Sequence, residues 1–170
     1  NTKAIEGDAK STKAYYNRGI AYGNLGQWDK AMADYSKAIE LDPQHSDAYS
    51  NRGVAYGNLG KWDKAIADYS KAIEIDPQYA IGFINRGVAY GNLEKWDKAL
   101  ADYSIAIDLD PKNNIAYFNR GIANGNLGHW DKAVADYSNA VGIDPNYAKA
   151  YYYRGIAYGN LGQEDKARAD

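Results

Sequence analysis

The chain has 170 residues, of which 45% are hydrophobic and 14% aromatic, a composition typical of a folded protein and not of a disordered one. The formal net charge is −2 and the lysines are scattered, so there is no basic stripe to bind the phosphate backbone of a nucleic acid. Cysteine is absent, which excludes disulfides, thiol nucleophiles and thiolate metal sites.

A period of 34 residues runs through the sequence. It separates successive tryptophans (Trp28, Trp62, Trp96 and Trp130) and successive prolines (Pro43, Pro77, Pro111 and Pro145). Such a period is typical of a repeat array, in which each unit buries its apolar face against its neighbours. The period divides the chain into units at residues 12–45, 46–79, 80–113 and 114–147 and a truncated fifth unit at 148–170.

Residues 1–11 resemble the end of a unit, because Lys3, Ala4, Ile5 and Glu6 match residues 37–40. We predict that they are the tail of the second helix of a preceding unit. The fifth unit stops within its own second helix, so the two incomplete ends would together make one such helix. This raises the hypothesis of head-to-tail contacts between copies of the chain.

Each unit carries two helical stretches that form a predicted hairpin. A glycine divides the two stretches (Gly26, Gly60, Gly128 and Gly162), and Asp-Pro ends the second one. Glycine suits the left-handed residue that ends a helix, and proline prevents the second helix from continuing. The third unit has Glu94 in place of the glycine, at an expected cost of about 1 kcal/mol.

The first helix of each unit has a predicted packing side and a predicted open side, as assigned at about 100° per residue. In the first unit the packing side holds Ala14, Tyr15, Arg18, Gly19, Ala21, Tyr22 and Leu25, and the open side holds Lys13, Tyr16, Asn17, Ile20, Gly23 and Asn24. The second helix has Ala31, Met32, Tyr35, Ala38 and Ile39 at helical spacing among polar residues. It is therefore predicted to be a half-buried outer helix.

The units resemble the tetratricopeptide repeat (TPR) family. In the first unit the resemblance is carried by Tyr15, Gly19, Tyr22, Trp28, Ala31, Tyr35, Ala38 and Pro43, and this set recurs with few changes through the fourth unit. The resemblance implies an all-α fold, a right-handed superhelical solenoid of antiparallel hairpins whose first helices line a concave groove. It also implies that the groove holds a segment of a partner protein.

The chain departs from the family in two ways. Arginine stands where the family commonly has leucine (Arg18, Arg52, Arg86, Arg120 and Arg154). These arginines lie on the packing side and need an anion, for which Asp34 and its equivalents or the aspartate before proline are the candidates, so a structural role is expected. Members that bind chaperone tails clamp a carboxylate with lysine and asparagine at the places of Tyr16 and Ile20, so this class of partner is disfavoured.

Residues on the open side are the candidate lining of the groove. The first asparagine row is Asn17, Asn51, Asn85 and Asn119, and the second asparagine row is Asn24, Asn58, Asn92, Asn126 and Asn160. A side-chain amide offers a donor and an acceptor, so a row of amides can pair with successive peptide groups of an extended ligand. For the second row, the alternative is that the amides satisfy local backbone groups near the helix end.

Apolar residues on the open side predict a contact surface. The variable row contains Tyr16, Ser50, Ile84, Phe118 and Tyr152, and the aliphatic row beside it contains Ile20, Val54, Val88, Ile122 and Ile156. Side chains such as Ile and Phe seldom face water alone, which favours a ligand surface. The alternative is that they pack on neighbouring first helices. A further set that differs among units is the selectivity row: Lys13, Asp47, Ile81, Ile115 and Lys149.

Catalytic, metal and cofactor sites are not expected. His45 and His129 fall at different places in predicted turns, and no nucleophile, base and orienting group recur together. No long apolar run or amino-terminal signal pattern is present, so no membrane partner is expected. The compartment stays open, with a cytoplasmic location favoured.

The sequence therefore predicts a non-enzymatic scaffold that binds a protein or peptide segment. The alternative is a self-assembly module in which the near-identical units build oligomers or filaments. In the fifth unit Glu164 and Arg168 replace apolar residues, which is typical of a solvent-facing cap.

Overall fold

The computed structural model describes residues 12–170, and the prediction for residues 1–11 lies outside this part of the chain. All regular elements in the described part are helices. The first helices of the units are α1 (Thr12–Asn24), α3 (Ser46–Asn58), α5 (Ala80–Asn92), α7 (Asn114–Asn126) and α9 (Ala148–Asn160). The second helices are α2 (Trp28–Leu41), α4 (Trp62–Ile75), α6 (Trp96–Leu109), α8 (Trp130–Ile143) and the single turn α10 (Glu164–Ala167). The predicted all-α fold of repeated hairpins is confirmed.

Contacts divide the chain into two compact units, one ending at Ala89 and the other beginning at Tyr90. In the first, Ala38, Ile39 and Ala48 form one cluster, and Ala65, Tyr69 and Ala89 form another. In the second, the core contains Phe118, Ala133, Tyr137, Ala140, Val141, Ala150 and Ala157. Small and aromatic residues alternate in these clusters, so the helices approach closely around tyrosine rings.

The first helix of each hairpin ends at the predicted left-handed residue. Gly26 has φ 68°, and Gln27 N–H closes the turn on the carbonyl of Tyr22 at 2.9 Å. Glu94 adopts φ 56° at the equivalent place, and Lys95 N–H bonds the carbonyl of Tyr90 at 2.9 Å. The third repeat therefore has the same hairpin turn, although Glu94 adopts a left-handed backbone conformation that glycine adopts more easily.

The aspartate before each proline caps the turn that follows the second helix. Asp42 Oδ1 accepts a hydrogen bond from Gln44 N–H at 3.0 Å, and Asp76, Asp110 and Asp144 make the equivalent bond. In this Asx turn the carboxylate accepts a hydrogen bond from the backbone two residues later in the chain. The arginines pair instead with the other candidate anion, Asp34 and its equivalents. Arg18 Nε and Nη2 each donate a hydrogen bond to the Asp34 carboxylate at 2.7 Å.

The packing side of the first helix is mostly buried, as predicted. Ala48 and Ala55 on the packing side of α3 are fully buried. Leu25 is an exception, because it is 68% exposed while its four counterparts are half-buried. Ala21 is also exposed, unlike Ala55.

Candidate functional site

A cleft of about 220 Å³ lies between α3 and α5, on the predicted open side of the first helices. It is lined by Val54, Gly57, Asn58, Trp62, Tyr69, Asn85 and Val88. Tyr69 is only 4% exposed and forms the inner wall, whereas Asn58 and Val88 are exposed at the rim. The aliphatic row and both asparagine rows thus meet around one apolar depression.

Two glycines of α3 admit the aromatic residues that line this cleft. A Cβ atom on Gly57 would lie 3.0 Å from Cζ3 of Trp62, and one on Gly53 would lie 2.6 Å from Cε1 of Tyr69. The rings of α4 therefore contact the backbone of α3. Gly23 and its equivalents were assigned to the open side from helix angles, and the structure corrects this for the first four hairpins, where the tryptophan of the same hairpin packs against the glycine. Gly159 in the fifth hairpin has no such contact.

A second cleft, of about 160 Å³, lies between α7 and α9. Its lining is Ile122, Gly125, Asn126, Trp130, Tyr137, Tyr153 and Ile156. These seven residues occupy the same places in their repeats as the seven of the first cleft. The two linings differ in polarity at one place, where the second cleft has Tyr153 and the first cleft has Asn85. Recurrence in two compact units identifies the cleft as a property of the hairpin sequence.

Neither cleft has a charged residue in its lining. Burial raises the pKa of Tyr69 and Tyr137, the tyrosines on the inner walls of the two clefts. It also raises the pKa of their counterpart in the first hairpin, Tyr35, to about 12. Their phenols are neutral at physiological pH. A cleft walled by indole and neutral phenol rings favours uncharged, apolar ligand groups.

The second asparagine row lies at the exposed rim and bonds its own helix. Nδ2 of Asn58 donates to the carbonyl of Val54 at 2.9 Å, and Asn126 and Asn160 make the same bond to Ile122 and Ile156. The local alternative considered from the sequence is therefore correct for these three. Each amide keeps its oxygen and a second N–H for a ligand. Asn24 and Asn92 are also exposed.

The first asparagine row is half-buried, comprising Asn17, Asn51, Asn85 and Asn119. Asn51 Nδ2 donates to the hydroxyl of Tyr16, a half-buried residue in the preceding repeat, at 2.9 Å. This bond orients the amide and leaves its oxygen as an acceptor. Asn85 lines the first cleft, so this row and the second are brought together there.

The expectation that the variable row is an exposed apolar strip is wrong for Ile84 and Phe118, which are each 7% exposed. Phe118 packs against the ring of Tyr147, at the end of its own repeat, and against the ring of Tyr153 in the next repeat, with centroids 4.9 and 5.5 Å away. For Phe118 the alternative interpretation is therefore correct, because a residue of the neighbouring repeat packs on it. Tyr152, in the last hairpin, is 67% exposed.

Sequence reasoning missed the tryptophans and the inner tyrosines as lining residues, because it assigned them only to packing. The signal available was the pairing of a glycine with a tryptophan five residues later in each of the first four units, as in Gly57 and Trp62. Among residues 12–170, no group of three His, Cys, Asp or Glu side chains is placed to hold a metal ion. No described helix has the length and apolar character needed to cross a membrane.

Comparisons with known proteins agree with this geometry. The tetratricopeptide repeat profile matches residues 12–45, 46–79 and 80–113, and a TPR repeat profile matches residues 126–162. No curated protein sequence matches the chain.

Several solved structures are similar to this chain. YrrB, described as a TPR protein with an unusual peptide-binding site, is 28% identical, with 98% of this chain and 86% of YrrB covered and a TM-score of 0.80. MamA is 26% identical, with 93% and 86% covered and a TM-score of 0.84. The first TPR of Spaghetti (RPAP3), solved with the HSP90 peptide SRMEEVD, is 30% identical, with 71% and 96% covered and a TM-score of 0.69.

Proposed function

This chain belongs to the tetratricopeptide repeat family, and on that premise we propose that it is a non-enzymatic scaffold that holds a peptide segment of a partner protein. The segment lies along the first helices and inserts apolar side chains into the recurring clefts. The solved relatives YrrB and RPAP3, whose structures concern a peptide-binding site and a bound peptide, support this class of ligand.

The observation that carries the proposal is the recurrence of the same seven-residue cleft lining in both compact units. Each cleft exposes aliphatic and aromatic surface without a charge. A Leu- or Ile-sized side chain that becomes fully buried there contributes about 1.5–3 kcal/mol. A segment with apolar residues repeated along its length would use more than one cleft.

Asparagine amides at the cleft rims supply the contacts to the ligand backbone. Asn58 and Asn85 border the first cleft, and Asn126 borders the second. The amide oxygen of Asn58 accepts no hydrogen bond from the described residues, so it can accept one from a peptide N–H. Such bonds position an extended chain without reading its side chains.

Selectivity comes from places where the repeats differ. The whole selectivity row is exposed, with Ile81 at 54% and Ile115 at 50% beside charged Lys13, Asp47 and Lys149. Tyr153 gives the second cleft an aromatic rim where Asn85 gives the first cleft a polar one. We therefore expect the two clefts to prefer different side chains.

A matched pair of substitutions tests this proposal. Ile156 lines the second cleft and is 41% exposed, and Ile105 on α6 lines neither cleft and is 40% exposed. Twelve-residue peptides are selected from a random displayed library against the unmodified protein, and the enriched ones are synthesised. Their affinities are then measured by calorimetry for the wild type, Ile156→Glu and Ile105→Glu.

We expect the enriched peptides to be rich in apolar residues and to lose about ten-fold or more in affinity with Ile156→Glu, because a carboxylate cannot be desolvated in the cleft. Ile105→Glu should bind as the wild type does. Equal affinity for all three proteins, or a library without any enriched sequence, would contradict the proposal.

A second candidate function is self-assembly, and one contrast favours it. Tyr152 is 67% exposed, whereas its counterpart Phe118 is buried by the following repeat. We propose that the exposed tyrosines of α9 can pair with another copy of the chain. Light scattering over a range of concentrations should then show association that Tyr152→Glu abolishes, and a strictly monomeric wild type would rule this function out.

A further inference from the structure

A tyrosine packs beneath a lysine in four of the five repeats. Lysine Nζ lies 5.4 to 5.7 Å from the ring centroid in each pair: Lys30 and Tyr22, Lys64 and Tyr56, Lys98 and Tyr90, and Lys166 and Tyr158. In the first repeat, Arg18 Cζ lies 5.8 Å from the same Tyr22 ring. Both cations thus lie within cation–π distance of the phenol ring, whose negative face attracts them.

The fourth repeat has Asn124 in place of this tyrosine, and a cavity of about 310 Å³ lies there. It is lined by Leu100, Ser104, Arg120, Asn124, Lys132, Ala135 and Asp136. Asn124 is 5% exposed and Asp136 is 3% exposed, so they form the floor, and exposed Lys132 and Ala135 form the rim. The shorter amide leaves the space of the ring open to solvent.

Asn124 hydrogen-bonds the buried aspartate at the floor of the cavity. Asn124 Nδ2 donates to Asp136 Oδ2 at 2.9 Å, and Arg120 Nε lies 3.1 Å from that oxygen, compared with 2.8 Å between Arg52 Nε and Asp68 Oδ2. Lys132 has neither an ion pair nor a ring partner among residues 12–170, unlike the four lysines above. The Asn124 amide oxygen accepts no hydrogen bond from a described residue, yet it is not sealed from solvent.

We propose that this cavity is a binding site for a phenol ring, which occupies the place that tyrosine occupies in the other repeats. The ring lies beneath Lys132 Nζ and beside the Arg120 guanidinium. Its hydroxyl donates to the free oxygen of Asn124. The four other repeats show that a ring of this kind fits between these helices.

The chemistry of the lining disfavours an anion. Three hydrogen bonds, of 2.7 to 3.2 Å, tie the Arg120 guanidinium to Asp136. An anion in the cavity would gain Lys132 alone and would face the buried Asp136 carboxylate. A neutral ring keeps the attraction of the lysine without that repulsion.

The site is separate from the cleft on the same helix. Arg120 and Asn124 line the cavity, whereas Ile122 and Asn126 line the cleft. Residues two apart on a helix project about 200° apart, so the two sites lie on opposite sides of α7. The phenol site therefore neither depends on the peptide proposal nor competes with it.

The experiment titrates p-cresol, the side-chain analogue of tyrosine, into the isotope-labelled protein and follows it by NMR. We expect a dissociation constant on the order of millimolar for so small a ligand, with nuclear Overhauser contacts to the Ala135 methyl group. Lys132→Met should weaken binding about three-fold through loss of the cation. Asn124→Tyr should abolish it by filling the cavity.

Controls separate this site from general binding to aromatic surfaces. Lys98→Met should leave the affinity unchanged, because Tyr90 already fills the space beneath Lys98. A second control, 4-methylcyclohexanol, has a similar shape but no π face and should bind more weakly. N-acetyltyrosinamide distinguishes the source of the ring: affinity similar to that of p-cresol indicates a tyrosine of a partner protein, and its failure to bind where p-cresol binds indicates a free phenol.

Three results would overturn the proposal: p-cresol contacts confined to the clefts, unchanged binding in both Lys132→Met and Asn124→Tyr, or saturable binding of inorganic phosphate at Lys132 in preference to p-cresol. A melting curve for Asn124→Tyr shows whether that variant is folded. If it is not, Lys132→Met alone decides the outcome.

Discussion

Arg52 Nη1 donates a hydrogen bond to Ser36 Oγ at 3.0 Å, although the two residues belong to different repeats. The same guanidinium bonds Asp68 of its own repeat through Nε and Nη2 at 2.8 Å each. The bond to the preceding serine recurs for Arg86 and Ser70, Arg120 and Ser104, and Arg154 and Ser138. The arginine that departs from the family pattern thus links each of the second to fifth hairpins to the one before it.

Removing the arginine should therefore destabilise the array. Arg52→Met leaves the Asp68 carboxylate, 6% exposed, buried without its cation, and we expect the free energy of unfolding to fall by about 3 kcal/mol. Urea denaturation followed by circular dichroism measures this change. Lys71→Met is the control, because its ion pair with Glu74 is exposed to solvent and should contribute little to stability.

Glycine at the crossing of the two helices should be required for close packing. In Gly53→Ala the new methyl group would lie 2.6 Å from the ring of Tyr69, so we expect a loss of about 2 kcal/mol. Gly142→Ala on α8 meets no atom within 4 Å and should be neutral or stabilising by up to about 1 kcal/mol. Similar melting temperatures for the two variants would contradict the contact between Gly53 and Tyr69.

The third hairpin should gain stability when its turn receives glycine. Glu94 has φ 56°, a conformation that costs a non-glycine residue about 1 kcal/mol, so Glu94→Gly should raise the free energy of unfolding by about that amount. Gly60→Ala, at φ 69°, makes the opposite change and should destabilise by a similar amount. The urea midpoints of the two variants should move in opposite directions from that of the wild type.

Alkaline pH should destabilise the protein through its buried tyrosines. Burial, followed by the nearby Tyr16 phenol, raises the pKa of Tyr35 from 10.0 to about 12, and burial raises those of Tyr69, Tyr103 and Tyr137 as well. Because the unfolded chain loses these protons first, the stabilisation is complete below pH 10 and decreases as pH rises towards 12.

Urea midpoints between pH 8 and 11.5 measure this effect, and Tyr35→Phe should reduce the alkaline decrease. Absorbance at 295 nm should resolve a late-titrating group of tyrosines in the folded protein. Ionisation of all seventeen tyrosines in one step near pH 10 would refute the prediction.

The candidate site could be predicted only in part. The aliphatic row and the rim asparagines were found from helix angles, because each lies on one side of its own helix. The burial of Phe118 could not be found in this way, since the rings of Tyr147 and Tyr153 that pack on it lie outside its own helix. The role of Trp62 in the cleft was missed because its contact with Gly57 crosses the turn between two helices.

Local interactions let the sequence by itself determine the hairpin repeat, the left-handed turns at Gly26 and its equivalents, and the half-buried second helix. These features depend on backbone conformation and on side chains a few residues apart, which periodicity reports directly. Only the tertiary structure decided which open-side residues meet solvent, that Asp34 and not Asp42 pairs with Arg18, and that Asn124 leaves a cavity. Exposure and cavity volume depend on the side chains that neighbouring helices bring to the same place, and no single helix encodes them.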